Sequence, residues 1–339
     1  MPEPTPVSGT RSAMNLRSIS VDTPPVCDES PTIRLRRGQR AALGFAAELA
    51  HLAGVVVGHW DGTLEDSDPE ELHQLRVALR RSRSVLRGGR SVFADETLER
   101  FEDELRWLAG LTGPTRDLDV FIDGWPNYTE GLDTRTIVAL LPVSERLHRH
   151  RRDAFDGLTD GMESERAVHL VAAWTAELTA IQRGLRTVGE DGDRRLGRVV
   201  GKRIRAAHRR LIKDGRRIAD DSPQTALHEL RKEAKRLRYL IECFGGALPK
   251  TPGKRFSRRL KALQDDLGAI QDGAVHLTEL DLIAVELDRE GASRTTMLAV
   301  SRLRQQIESA ATQARDEFAK RFAAFDANKT RRILAQLVA

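Results

Sequence analysis

A short polar sequence motif occurs twice in this chain, and the second copy follows the first at a fixed offset. The motif His-x-Leu-Arg recurs after 155 residues, and a Gly-x-x-x-Asp motif recurs at the same offset without a gap. The matched positions are His73 and His228, Arg76 and Arg231, Gly113 and Gly268, and Asp117 and Asp272. Because unrelated segments rarely share several polar positions in one register, the pattern indicates an internal duplication. We place the two copies at about residues 35–160 and 194–339.

Both copies have the sequence pattern of helices. Apolar residues recur at spacings of three and four, and no window alternates between apolar and polar residues as a strand does. Glycine and proline clusters divide these windows, and one expected break is Gly113-Pro114. Asp68-Pro69 and Ser222-Pro223 have the pattern of an N-cap residue followed by proline at the first helical position. We therefore predict an all-α fold.

Residues 1–32 have a different composition from the rest. Six prolines are interspersed with Ser, Thr and Gly, without an apolar period that could offset the entropy of ordering. We expect a disordered tail here and place the folded part at residues 33–339.

Few features connect the chain with a membrane or an oxidising compartment. Its two cysteines, Cys27 and Cys243, are too few for a disulfide framework or a four-cysteine zinc site. The most apolar segment, Gly44–Gly58, contains Glu48 and His51, so we expect no membrane span. The N-terminus has no apolar signal core. We therefore expect a cytoplasmic protein.

Each matched segment places a stripe of positive charge on one face of a helix. Spacings of three and four residues put side chains on the same helical face. The stripe of the first copy contains His73, Arg76, Arg80, Arg83, Arg87 and Arg90. That of the second copy contains His228, Arg231, Lys235 and Arg238, with Lys232 beside them. Like charges at these spacings destabilise an isolated helix by about 0.2–0.5 kcal/mol per pair. The duplicated stripe therefore predicts a polyanionic ligand.

The distribution of charge supports this prediction better than the net charge does. The chain carries 55 Lys plus Arg against 50 Asp plus Glu, a net charge of only +5. No acid occurs between His73 and Arg90, whereas a solvated helix face usually alternates acids with bases. Further candidates at helical spacing are Lys202, Arg205, Arg209 and Lys213, together with Arg255 and Arg259. Arginine clamps phosphate oxygens in pairs, and lysine acts as a mobile point charge.

Signatures of catalysis or metal binding are weak. We expect Asp117 and Asp272, each after a glycine-initiated turn, to hold an arginine by an ion pair rather than to act in catalysis. His148 and His150 lie on different helical faces, and no group of residues has metal-ligand spacing. Neither a phosphate-binding glycine loop nor a nucleophilic serine elbow occurs. We therefore assign no catalytic residue, no metal and no cofactor.

The paired His-x-Leu-Arg helices, the segment Gly113-Pro-Thr-Arg-Asp-Leu-Asp-Val120 and its counterpart Leu267-Gly-Ala-Ile-Gln-Asp272 resemble the CHAD domain, a histidine-containing α-helical domain. The resemblance implies two four-helix bundles related by a pseudo-twofold axis, with inorganic polyphosphate bound in a basic cavity between them. By the same resemblance, the stripe residues would line the cavity, and the protein could associate with polyphosphate granules. Many relatives carry a CYTH triphosphatase domain, which needs a Glu-x-Glu-x-Lys strand. The nearest string here, Glu102-Asp-Glu-Leu-Arg106, ends in arginine and lies in a helical window, so we expect that domain to be absent.

Two alternatives to polyphosphate binding remain at this point. Nucleic acid carries a phosphate backbone too, but aromatic residues make up only 5% of the chain, which offers little for base stacking. An enzyme acting on phosphoanhydrides would be expected to have an acidic metal cluster. The first helix of copy one, Ala41 to His59, lacks counterparts of Lys202, Arg209 and Lys213, so we expect an unevenly charged cavity. The sequence does not decide the oligomeric state.

Overall fold

The computed structural model describes residues 34–339, and the tail expected at residues 1–32 lies outside the described residues. Within the described part, the chain forms twelve α-helices and no β-strand apart from two isolated bridges. The predicted all-α fold is confirmed.

Seven helices belong to the first copy and its connection to the second. They are α1 (Ala41–Gly58), α2 (Trp60–Leu64), α3 (Pro69–Gly88), α4 (Asp95–Thr129), α5 (Thr134–Ala139), α6 (Leu141–Glu163) and α7 (Glu165–Gln182). The second copy contains α8 (Leu196–Gly215), α9 (Gln224–Cys243), α10 (Lys250–Arg289), α11 (Arg294–Phe325) and α12 (Asn328–Val338). The charged stripes therefore lie on α3 and α9.

The start of α3 agrees with its predicted cap, and the start of α9 does not. The side chain of Asp68 accepts a hydrogen bond of 2.8 Å from the backbone N–H of Glu70, and Pro69 occupies the first helical position. In α9 the N-cap residue is Pro223, which makes the predicted Ser222 cap wrong. The Ser222 hydroxyl instead accepts a hydrogen bond of 2.9 Å from the backbone N–H of Ala219. It therefore closes the preceding turn.

The break predicted at Gly113-Pro114 is also wrong, because α4 continues through this position to Thr129. A proline inside a helix costs about 3 kcal/mol through a lost hydrogen bond and a steric clash. Leu108 and Leu118, on either side of the proline, are both buried, and their packing holds the helix together across it. Consequently Asp117 lies within a helix instead of after a turn, and Asp272 has the same setting in α10.

A single large core contains residues of both copies. Phe45 of α1 packs against Phe244, just beyond α9, with ring centroids 4.5 Å apart. A second, smaller core joins the later part of α4 to α6, α10 and α11, and it includes the buried Phe121 and Leu303. In both copies the stripe helix packs against the helix before it and the helix after it. This matched pairing is compatible with the expected pseudo-twofold arrangement.

Helix α1 is, within residues 34–339, the one helix whose length and composition would allow it to cross a membrane. In the fold, 61% of its residues are buried inside the protein. Such burial is typical of a core helix, which passes the same test of length and composition.

Candidate functional site

The two stripe helices pack against each other, which brings together the charged faces of the two copies. Arg81 of α3 donates a hydrogen bond of 2.8 Å from Nη2 to Oε2 of Glu242 on α9. The predicted site therefore has residues from both copies at one interface, because α3 and α9 are neighbours in the fold.

Four cationic side chains meet at this interface, two from each copy. They are Arg76, Arg80, Arg231 and Lys235. Burial, followed by repulsion from Arg80, lowers the pKa of Arg76 to about 10. Burial, followed by repulsion from Arg231 and Arg80, lowers the pKa of Lys235 to about 7. The packing of α3 on α9 places these cations close enough to repel one another, and burial together with that repulsion disfavours their charged forms.

Two carboxylates partly neutralise these cations with matched geometry. Oδ1 of Asp117 accepts a hydrogen bond of 3.3 Å from Nη2 of Arg76, and Oδ1 of Asp272 accepts one of 3.2 Å from Nη2 of Arg231. Burial raises the pKa of Asp272, while Arg231 and Lys235 oppose that change. The ion pairs expected for the two aspartates are thus present. We refer to the four cations and the two aspartates together as the central cluster.

The two stripe histidines have different surroundings. Nδ1 of His228 lies 2.7 Å from Oε1 of Gln271. The position that matches Gln271 in the first copy is Arg116, and its charge, after burial, lowers the pKa of His73. The first copy therefore has a guanidinium near its stripe histidine, where the second copy has a neutral amide.

Acidic side chains pair with several of the predicted basic residues that lie outside the central cluster. Glu102 of α4 accepts hydrogen bonds from Arg87 and Arg90, at 3.2 and 2.9 Å from their Nη2 atoms. Arg238 donates from Nε to Glu242 at 2.5 Å, and Lys232 pairs with Glu229. Arg83 is partly buried, and burial followed by repulsion from Arg106 lowers its pKa.

The remaining predicted site residues lie away from the central cluster. Lys202, Arg205, Arg209 and Lys213 project from the exposed side of α8. Arg205 donates a hydrogen bond of 2.6 Å to the carbonyl of Val338, and Arg259 donates to the hydroxyl of Thr330 at 3.2 Å. Arg255 is exposed near the start of α10.

Several residues at the site were not predicted from the sequence. Thr112 accepts a hydrogen bond of 3.1 Å from Nη1 of Arg76. Phe121 and His276, which match at the offset of the duplication, stack with ring centroids 4.3 Å apart and planes 9° apart. Burial lowers the pKa of His276 to about 4, and its Nδ1 lies 2.9 Å from the hydroxyl of Tyr128. The offset itself was the available signal for the Phe121–His276 pair.

A cavity of about 270 Å³ lies between α4 and α10 beside the central cluster. Its lining includes Asp117, Phe121, His276 and Glu279, so it adjoins the cluster at Asp117. Among residues 34–339, no group of three or more His, Cys, Asp or Glu side chains is arranged to hold a metal ion.

Comparisons with known proteins agree with this architecture. Two uncharacterized proteins of Mycobacterium tuberculosis, from strains CDC 1551 and H37Rv, are each 28% identical to this chain over 241 residues. The aligned region covers 70% of this chain and 45% of each relative, so the chain spans less than half the length of these curated proteins.

Two solved structures share the fold. The CHAD domain from the plant Ricinus communis has a TM-score of 0.71 at 22% identity, covering 88% of this chain and 97% of that domain. PptA from Streptomyces chartreusis has a TM-score of 0.65 at 17% identity, covering 84% of this chain and 100% of that protein. At these identities the similarity concerns the fold alone. The CHAD domain family model matches residues 47–281, which is well over half of the chain, and this protein therefore belongs to the CHAD domain family.

Proposed function

We propose that this protein binds inorganic polyphosphate at the central cluster and does not hydrolyse it. The observation that carries the proposal is the meeting of Arg76 and Arg80 from one copy with Arg231 and Lys235 from the other. Asp117 and Asp272 balance only part of this charge. A polyanion would supply the missing negative charge.

The donors of the central cluster suit phosphate oxygens. Nε of Arg231 is buried and has no hydrogen-bond partner among the described residues. A buried donor without a partner costs about 1–3 kcal/mol, and an oxygen that accepts its hydrogen bond removes that cost. Guanidinium groups also bind phosphate through paired hydrogen bonds. The cluster therefore offers both charge and directed donors.

Burial of the cluster favours a slender anion over a nucleic acid. The side chains of Arg76 and Arg231 are only 12% and 15% exposed, which limits the approach of a backbone that carries sugars and bases. Phe121 and His276 are only 1% and 3% exposed, so neither ring presents an accessible face on which a base could stack. We accordingly propose polyphosphate, and we treat single-stranded RNA as the competitor in the test.

The first test combines Arg76→Glu with Arg231→Glu and measures binding of long-chain polyphosphate by calorimetry. We expect binding to be lost, because each charge reversal places a carboxylate where a phosphate must lie. Arg76→Gln with Arg231→Gln serves as a milder pair in case two new carboxylates beside the aspartates disturb folding. Arg135→Glu with Arg289→Glu, at two exposed positions, is the matched control and should bind as the wild type does. Circular dichroism reports whether each variant is folded.

Retained affinity in a folded Arg76/Arg231 double variant would contradict the placement of the ligand. Stronger competition by single-stranded RNA than by polyphosphate would favour the nucleic-acid alternative. The absence of hydrolysis is tested separately, by incubating polyphosphate with the protein and magnesium and resolving chain lengths on a gel. Shortened chains would show that the protein is an enzyme.

A further inference from the structure

Helices α8 and α12 pack side by side and form one surface of the second copy. Nη2 of Arg205 on α8 donates a hydrogen bond of 2.6 Å to the carbonyl of Val338, the last residue of α12. At the other end of α12, Asp326 accepts hydrogen bonds from Arg216 of α8 at 2.7 Å and from Arg331 of α12 at 2.8 Å. The exposed sides of the two helices are therefore continuous, and we call them together the α8–α12 surface.

The α8–α12 surface carries positive charge that the protein itself does not neutralise. Residues 196–213 contain seven Lys or Arg and residues 328–338 contain three, and neither stretch has an acid. The exposed cations that form no ion pair among residues 34–339 include Arg198, Lys202, Arg209, Lys213 and Arg332. Those of α8 extend over about 22 Å, at 1.5 Å per residue. A helix face that is merely solvated usually mixes acids with bases.

The first copy shows that the duplicated fold does not require this charge. At the offset of 155 residues, the unpaired cations of α8 correspond in α1 to Leu43, Ala47, Gly54 and Gly58. The start of α10, which packs against α12, also differs in charge between the copies. Residues 250–264 contain six Lys or Arg and no acid, whereas the matching residues 95–109 of α4 contain six Asp or Glu and two Arg. The field of the protein therefore directs a polyanion to the second copy.

The α8–α12 surface is separate from the central cluster. Glu233 of α9 pairs with Arg210 of α8 at 3.3 Å. Arg231 and Lys235 of the cluster each lie two residues from Glu233, which is about 200° around a helix. Helix α9 therefore faces α8 with one side and the central cluster with the opposite side.

The exposure and width of the surface fit a wide polyanion. Its cations are exposed, unlike Arg76 and Arg231 of the central cluster, so a nucleic-acid duplex can approach them. The axes of packed helices lie about 8–10 Å apart, which is between the widths of the minor and major grooves of B-DNA, about 6 and 12 Å. Cations on two such helices can therefore meet phosphates on both sides of a groove. Among the described residues, the large apolar side chains that are exposed all lie outside α8 and α12, whereas a helix that binds a membrane surface inserts such side chains.

We propose that the α8–α12 surface binds double-stranded DNA through its phosphate backbone. Each phosphate that a Lys or Arg neutralises releases condensed counterions, so the affinity falls steeply with salt. Contacts to phosphates carry no direct sequence information, and the affinity therefore depends little on base sequence. This inference is independent of polyphosphate binding, because the two sites lie on opposite sides of α9.

The test is the triple variant Lys202→Glu, Arg209→Glu and Lys213→Glu, which retains the hydrogen bond of Arg205 to α12. Fluorescence anisotropy measures the affinity of the full chain for a labelled DNA duplex of mixed sequence over a range of salt concentrations. We expect binding to weaken at least about tenfold and the slope of log K against log salt to become shallower by about 3, at roughly 0.9 per lost phosphate contact. A duplex of different sequence should respond equally. Gln at the same three positions replaces Glu if the triple variant does not fold.

Two controls separate the α8–α12 surface from the net charge and from the central cluster. Arg135→Glu, Arg152→Glu and Arg289→Glu change the net charge equally at exposed positions of α5, α6 and α10 and should weaken DNA binding far less. Arg76→Gln with Arg231→Gln should bind DNA as the wild type does, whatever its affinity for polyphosphate. DNA binding that survives the α8 triple variant, equal weakening by the control triple variant, or tighter binding of phosphatidylserine vesicles than of DNA would overturn the inference.

Discussion

The central cluster should take up a proton when it binds polyphosphate above neutral pH. Lys235 is buried beside Arg231 and Arg80, and this environment lowers its pKa to about 7. A phosphate oxygen in contact with the ammonium group favours the charged form and raises the pKa again. Above pH 7, binding therefore requires Lys235 to gain a proton that the unliganded protein has lost.

The size of this effect follows from the pKa of Lys235. At pH 6 the amine is mostly protonated in the unliganded protein, whereas at pH 9 only about 1% of it is, for a pKa near 7. If the pKa of Lys235 in the polyphosphate complex stays above 9, the affinity for polyphosphate falls by about 100-fold between pH 6 and pH 9. This fall corresponds to about 2.7 kcal/mol of binding free energy. The sign is fixed: binding weakens as pH rises.

Calorimetry across this pH range, in buffers of different ionisation enthalpy, measures both the affinity and the proton uptake. The control is Lys235→Arg, because a guanidinium remains protonated throughout the range. We expect the variant to bind with little dependence on pH and to take up almost no proton at pH 9. Titration of the phosphate chain itself is common to both proteins and cancels in the comparison. If the variant keeps the full pH dependence of the wild type, Lys235 is not the linked group.

Two further predictions concern carboxylates that the proposed ligand does not contact. Glu242→Gln removes a carboxylate, 29% exposed, that pairs with both Arg81 and Arg238. Polyphosphate binding should therefore strengthen, and the slope of log K against log salt should steepen by about 1. Unchanged binding would mean that neither arginine can reach the ligand. Burial raises the pKa of Glu48 from 4.5 to about 7, so between these pH values the folded protein keeps a proton on Glu48 that the unfolded protein has lost. The free energy of unfolding should therefore fall by up to about 3 kcal/mol as pH rises from 4.5 to 7. Glu48→Gln should remove most of that loss in urea unfolding at pH 5 and pH 8, and an equal loss in the variant would show that another group titrates.

The sequence predicted the features that depend on local spacing. The helical stripes follow from steps of three and four residues, and the Asp68 cap follows from a local pattern at the start of α3. The sequence could not show that Glu102 would engage Arg87 and Arg90, because that contact depends on how α3 and α4 pack. The break expected at Gly113-Pro114 failed for a similar reason, since tertiary packing holds α4 together across the proline.

The predicted site residues also show this difference between what local spacing indicates and what helix packing decides. Periodicity placed Arg76 and Arg231 on one face of their helices, but only the contact between α3 and α9 brings them together. Periodicity also grouped Lys202 with Arg209 on α8, yet that face is exposed and separate from the central cluster. A helical pattern indicates which residues share a face, whereas the neighbouring helices determine what that face meets.

The basic residues of α8 have no counterparts on α1, and the helices that pack over α1 and α8 explain this difference. The 18-residue α7 packs along α1, and Gln182 near its end donates a hydrogen bond of 3.3 Å to the carbonyl of Ala46. The corresponding cover of α8 is α12, which has only 11 residues. A helix face that is covered must be apolar, since burying an unpaired charge is costly, whereas an uncovered face can carry one. The shorter cover leaves room for the exposed basic residues of α8, so the duplicated fold presents two neighbouring stripe helices together with an exposed basic face on the second copy.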